Sequence, residues 1–107
     1  MTDPAVLEIT VPDERIDAAA APAFKQAMSD ALGSSTRRLV LDMSQVQFVD
    51  STGLGVLVSL LKQMGEGGRI AVVGAAPGVR RLFQITRLDS LFVLADDAAS
   101  ARDALNG

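Results

Sequence analysis

The sequence contains no cysteine, histidine, tryptophan or tyrosine, and phenylalanine supplies all of its 4% aromatic content. Without Cys there are no disulfides, thiolate metal sites or cysteine nucleophiles, which accords with a reducing, cytoplasmic setting. Without His, the side chain that most often serves as a general base near neutral pH is missing, along with the commonest metal ligand. Carboxylates, lysines and hydroxyls are all that remain for chemistry, so catalysis is disfavoured and no cofactor or metal is expected. No apolar run approaches the roughly 18 residues that span a bilayer. Met1-Thr2-Asp3-Pro4 lacks the basic start and apolar core of a signal peptide, so no membrane insertion is expected. Positive charge is also short. Ten Lys and Arg face 13 Asp and Glu, a net charge of −3, which is the wrong sign for phosphate-backbone attraction, and nucleic acid is not an expected partner.

What the chain does have is apolar content, 49% of 107 residues, enough for one domain over residues 1–107 that buries about two-thirds of its unfolded surface. Ala5 to Val11 partly alternate, as in a strand with one wet face, and Pro12-Asp13 interrupt them. Ile16 begins a short second strand. From Pro22, the residues Phe24, Ala27, Met28, Ala31 and Leu32 form one helical stripe that Gly33 ends. Leu39-Val40-Leu41, bounded by Arg37-Arg38 and Asp42, reads as a central strand buried on both faces. A second helix runs from about Thr52 to Met64. Leu54, Leu57, Val58, Leu61 and Met64 share its inner side, which leaves Val56 and Leu60 as an apolar strip outside the core. Gly65, Gly67 and Gly68 stop it, and Arg69 to Val73 read as another buried strand. Gly74 to Gly78 turn into a third helix carrying Val79, Leu82, Phe83 and Leu88. Leu91 to Leu94 form a last strand, and Asp96-Asp97 open a C-terminal helix with Ala98, Ala101 and Leu105 inward.

Strands alternating with helices predict an α/β fold, a central sheet of four to five strands flanked by four helices, and the early meander makes that sheet mixed. The carboxyl ends of the parallel strands line one rim, expected to receive Asp42 together with the loop carrying Asp50 and Ser51. Asp50, Ser51 and Thr52 are all residue types that cap helices, and by spacing alone capping is the favoured reading. A helix start also exposes unpaired N–H groups and a positive dipole end, where a phosphate is stabilised. Gly74 to Gly78 lack the Gly-Lys-Ser/Thr end of a P-loop and read as an ordinary turn. Arg80, Arg81 and Arg87 read first as a solvated helix face and second as a contact for acidic partner residues.

Leu39-Val40-Leu41-Asp42-Met43-Ser44, followed by Phe48-Val49-Asp50-Ser51-Thr52-Gly53-Leu54-Gly55-Val56-Leu57, resembles the strand, loop and switch-helix signature of the STAS domain. Within that family it resembles the small anti-sigma factor antagonists, or anti-anti-sigma factors. Ile16-Asp17-Ala18-Ala19 is similar to their Leu-Asp segment before the first helix, and Val79-Arg80-Arg81-Leu82-Phe83 with Leu88-Asp89 to their third-helix signature. The resemblance covers nearly the whole chain and implies the STAS fold and a partner-switching cycle. The unphosphorylated protein binds an ATP-binding anti-sigma factor that is also a serine kinase, releasing the sigma factor. Phosphorylation of the Ser in the Asp-Ser motif separates the complex, and a metal-dependent serine phosphatase resets it. By the same resemblance Ser51 is the phosphorylation site, and Asp17, Asp42, Asp50, Ser51, Thr52, Gly53 and Gly55 are expected to meet the partner, together with the apolar strip of Val56 and Leu60 read from the helix face. A weak homodimer through the uncovered strip stays open.

Two departures from the family pattern stand out. Asp13-Glu14-Arg15 occupy a turn where relatives usually carry Gly, and Arg87 stands where many have Gly after the third helix. A non-Gly residue held in the left-handed region costs about 1 kcal/mol. Two rival functions share parts of this reading. One is a STAS regulatory subunit of a membrane transport complex of the lipid-trafficking ABC type. The other is a receiver-like phosphoryl-transfer protein with Asp42 as acceptor, weakened because no acidic pair ends the first strand and no Lys follows the fourth or fifth.

Overall fold

The computed structural model describes residues 6–33 and 35–106; the reading of Met1 to Pro4, and Ala5 of the first strand, lie outside them. The chain runs β1 (Val6–Thr10), β2 (Arg15–Ile16), α1 (Ala21–Leu32), β3 (Arg38–Asp42), β4 (Phe48–Val49), α2 (Ser51–Met64), β5 (Arg69–Val73), α3 (Pro77–Ile85), a 3₁₀ turn (Leu88–Ser90), β6 (Val93–Ala95) and α4 (Ala98–Asn106). The four-stranded sheet has the order β1-β3-β5-β6, and β2 pairs with β4 in a separate ribbon. The α/β class, the four-stranded sheet and the four helices are as expected. One detail of the pairing differs. Every ladder between the described strands is parallel, so the early meander adds no antiparallel member, because β2 leaves the sheet for the ribbon.

Strand order that advances in one direction has a structural consequence. Right-handed crossovers then place α1, α2 and α3 on one face of the sheet, and the other face needs separate cover. Side-chain alternation divides the strands accordingly. Leu39, Leu41, Ile70 and Val72 join one buried cluster with Phe24, Met28, Leu57, Leu60 and Phe83 from the three helices. Val40, Ala71, Val73 and Ala95 join a second, smaller cluster with Ala101 and Leu105 of α4. The C-terminal helix is held by more than that thin apolar face. Arg38 Nε donates to the carbonyl of Leu105 at 3.0 Å and an Arg69 guanidinium nitrogen to that of Ala104 at 3.0 Å, so two strand-borne cations satisfy the negative end of the helix. On α1, Phe24, Met28 and Leu32 are buried as expected, whereas Ala27 and Ala31 are exposed.

The largest correction concerns α2. Val56 is 7% and Leu60 0% exposed, so the strip expected outside the core is inside it. The helix is wedged among α1, β4 and β5 and buries a wider arc than one amphipathic stripe. Its outward residues are Ser51, Thr52, Gly55, Lys62 and Gln63, with Val58, Ser59 and Leu61 half-buried.

The expected strain after α3 is present. Arg87 sits at φ 62°, the sole non-Gly residue with positive φ among the described residues. The turn at Asp13-Glu14-Arg15 carries no such strain; instead the Glu14 carbonyl accepts from the N–H groups of Gln47 and Phe48 at 2.7 and 3.2 Å and starts the ribbon.

Candidate functional site at the start of α2

The β2–β4 ribbon aligns Arg15 with Phe48 and Ile16 with Val49, and the chain leaves β4 directly into Asp50 and the first turn of α2. Asp50 is the N-cap, extended at φ −101° and ψ −176°, and its carboxylate spans two elements. One oxygen accepts from the Gly53 N–H at 2.9 Å, and the other from the Ala18 N–H at 3.1 Å. The Asp50 N–H in turn donates to the Ile16 carbonyl at 3.3 Å. The start of α2 is therefore tied to the loop that precedes α1.

Asp17 organises that loop from its other end. Its carboxylate accepts from the Ala20 N–H at 3.0 Å and from Arg15 Nε at 3.3 Å. The Ala20 hydrogen bond first, with Arg15 adding to it, holds the Asp17 carboxyl below its ordinary value of 3.8. Asp17, Ala18 and Asp50 thus form one connected acidic corner beside Ser51 and Thr52, both exposed.

The two glycines of the motif have opposite jobs. A Cβ on Gly53 would lie 2.3 Å from the Ile16 carbonyl oxygen and 2.9 Å from Ile16 Cγ2, so only glycine lets α2 approach the ribbon this closely. Gly55 is exposed, with no atom within 4 Å of the position its Cβ would take. Gly53 is structural, while Gly55 leaves a bare patch of backbone on the outer face.

Asp42 does not join this corner. Alternation along β3 sends it to the side opposite Leu41, towards α4, where it lines a groove of about 360 Å³ with Glu8, Ser44, Gly74, Asp96 and Asp97. Its carboxylate accepts from the Ser44 N–H at 2.9 Å. Asp97 accepts from Ser100 N–H at 2.7 Å, capping α4, and Asp96 pairs with Arg80 at 3.3 Å. The expected meeting of Asp42 with Asp50 and Ser51 is thus corrected: the rim divides into two faces, and monotonic strand order provides no reversal point to join them. One neighbouring feature carried no sequence signal. Phe48 is 40% exposed beneath the Arg15 guanidinium, 4.4 Å from the ring centroid, and borders a groove leading to α3.

Residues 2–101 match the family model of the STAS domain. The chain belongs to the STAS domain family. It is 28% identical to the anti-sigma-F factor antagonist RsfB of Mycobacterium tuberculosis, an alignment that covers 100% of this chain and 93% of RsfB. A crystal structure of an anti-sigma factor antagonist from Mycobacterium paratuberculosis superposes with a TM-score of 0.83 at 32% identity, covering 95% of this STAS domain and 86% of that chain. The anti-sigma factor antagonist SpoIIAA of Bacillus, in its unphosphorylated form, shares the fold at a TM-score of 0.67 and 20% identity, covering 100% and 94%. No helix among the described residues of this STAS domain is long and apolar enough to cross a membrane.

Proposed function

We propose that this STAS domain is an anti-sigma factor antagonist switched at Ser51. In this reading the unphosphorylated chain binds an ATP-binding anti-sigma factor with serine kinase activity and displaces the sigma factor. The kinase then transfers the ATP γ-phosphoryl group to Ser51 Oγ, the complex separates, and a metal-dependent serine phosphatase removes the phosphate. The observation that carries the proposal is an exposed serine in the first turn of α2, directly after its N-cap Asp50. The contact surface comprises Asp17, Asp50, Ser51, Thr52 and the bare backbone at Gly55.

Charge explains the switch without a refolding step. A phosphoserine carries about −1.5 to −2 at neutral pH. At position 51 it adds to the carboxylates of Asp50 and Asp17, turning a mildly acidic corner into a strongly acidic one. Like charges facing a partner cost several kcal/mol, and each 1.4 kcal/mol is tenfold in affinity, so one phosphate suffices for about a hundredfold change. Within the free domain the same phosphate lies at the positive end of a helix of 14 residues, where it is tolerated.

The test combines mass and affinity. Incubation with the anti-sigma factor kinases of the source organism and ATP, followed by peptide mass spectrometry, is expected to place phosphate on Ser51. Ser51→Ala is expected to keep kinase binding and Ser51→Asp to weaken it. Equal affinity of the two variants, or an unmodified Ser51 beside an active kinase that binds the domain, refutes the proposal.

A further inference from the structure

A groove of about 260 Å³ opens beside the switch, walled on one side by Gln47, Phe48 and Val49 and on the other by Gly78, Val79 and Leu82 of α3. Its walls are apolar although it faces solvent. Phe48 is 40% exposed, and one turn beyond Leu82 the same helix face continues to Ile85, which is 66% exposed. Exposed apolar surface rimmed by polar groups is the kind on which protein contacts are built.

The rim states the charge of what fits. Arg15 lies over Phe48, its Nε on Asp17, and on α3 the exposed Arg81 stands one turn after Gly78 and next to Leu82 of the other wall, with no carboxylate paired to it among the described residues. Asp17 offsets the charge of Arg15, so the cation left for a partner on this side is Arg81, in a chain that carries −3 overall. Asp42, Asp96 and Asp97 gather elsewhere, on the α4 face. The groove is also continuous with the switch, as Val49 in its wall is followed by Asp50 and Ser51.

Building on the reading of the domain as an anti-sigma factor antagonist, we infer that this groove seats an apolar side chain of the anti-sigma factor, presented beside a carboxylate. The groove is the anchor and Ser51 the switch. The anchor supplies affinity to the unphosphorylated complex and brings the kinase to its substrate, while the charge at position 51 decides whether the rest of the surface closes.

Gly78 makes the test clean. It is exposed, and no atom lies within 4 Å of where its Cβ would be, so a side chain there blocks the groove without straining the fold. In titrations with purified anti-sigma factor kinase, Gly78→Glu is expected to weaken binding of the unphosphorylated domain at least tenfold. It is also expected to raise KM for Ser51 phosphorylation without lowering kcat, and to keep the wild-type unfolding midpoint. Gly78→Ala, which adds one methyl, is expected to bind nearly as wild type. Arg81→Glu is expected to weaken binding several-fold at low salt, with the loss shrinking as salt rises. Wild-type affinity for both Gly78→Glu and Arg81→Glu, alongside weakened binding by Ser51→Asp, overturns the anchor and leaves the switch intact. Failure of the wild-type domain to bind any anti-sigma factor kinase overturns both.

Discussion

Replacing Gly53 by alanine adds a single methyl group to an α-helix, a change that elsewhere in a helix stabilises by about 1 kcal/mol. Here the sign reverses. The new Cβ would sit 2.3 Å from the Ile16 carbonyl oxygen, 2.9 Å from Ile16 Cγ2 and 3.0 Å from Val49 Cγ1. The closest of these is backbone, fixed in the β2–β4 ribbon and already accepting from the Asp50 N–H, so it cannot turn aside. The first turn of α2 must move, and the Asp50 cap on the Gly53 N–H moves with it. Overpacking of this kind costs about 1–3 kcal/mol and a lost cap about 1 kcal/mol. Set against the helix-propensity gain, the net loss is about 2 kcal/mol, or a fall of about 10 °C in unfolding midpoint for a domain near this size. Gly55→Ala is the internal control: the same chemistry two residues on, into open space, is expected to raise stability by about 0.5–1 kcal/mol. Urea and thermal unfolding of both variants measure the pair. A Gly53→Ala protein as stable as wild type, or a Gly55→Ala protein equally destabilised, would show that the close approach of α2 to the ribbon is not what requires glycine.

Three further outcomes are expected. Asp50→Ala removes acceptors for both Gly53 and Ala18 N–H groups, and urea unfolding is expected to register a loss of about 2 kcal/mol, with faster amide exchange at Ala18. Arg87→Gly relieves the left-handed residue after α3 and is expected to gain up to about 1 kcal/mol in the same assay, no gain contradicting the strain. Asp17 and Asp97 are both held below their ordinary carboxyl value of 3.8, chiefly by the N–H groups of Ala20 and Ser100 respectively. A lowered folded pKa means their contribution is complete above the unfolded value and is lost as pH falls through the folded one. Stability is therefore expected to decline below about pH 4, and Asp17→Asn with Asp97→Asn to flatten that acid limb in a denaturation series across pH 2–5.

The strands and helices that announced themselves in the sequence did so through one physical signal each. Ile70 to Val73 are apolar without a break because β5 lies between β3 and β6 and is covered on both faces; the strand runs from Arg69 to Val73, the limits read from the sequence. The start of α2 followed from three consecutive capping types, Asp50, Ser51 and Thr52; the structure uses Asp50 as the cap and begins the helix at Ser51, one residue before the expected Thr52. Val56 and Leu60 misled because a helical wheel assumes a single neighbour, and α2 has several. Asp42 misled for a different reason. Strand alternation puts it opposite Leu41, on the α4 face, although the end of β3 shares a rim with the loop that carries Ser51. The ribbon strand at Phe48–Val49 is two residues long, too short for any periodicity, and its pairing depends on Arg15–Ile16 more than 30 positions earlier. Gly53 and Gly55 are identical letters in one motif, and only the approach of Ile16 tells them apart.

Because each described strand runs parallel to its partner, no two of them can join through a tight hairpin, and each pairing waits for a long stretch of intervening chain. During synthesis β1 has nothing to pair with until β3 has emerged, and the switch corner stays unassembled until the ribosome has delivered both halves of the ribbon. Contacts so distant along the chain slow folding and lengthen the exposure of apolar segments such as Leu39–Leu41. A nascent domain of this kind becomes competent for regulation only after most of its length exists, so truncated products carry the serine without the architecture that gives it meaning.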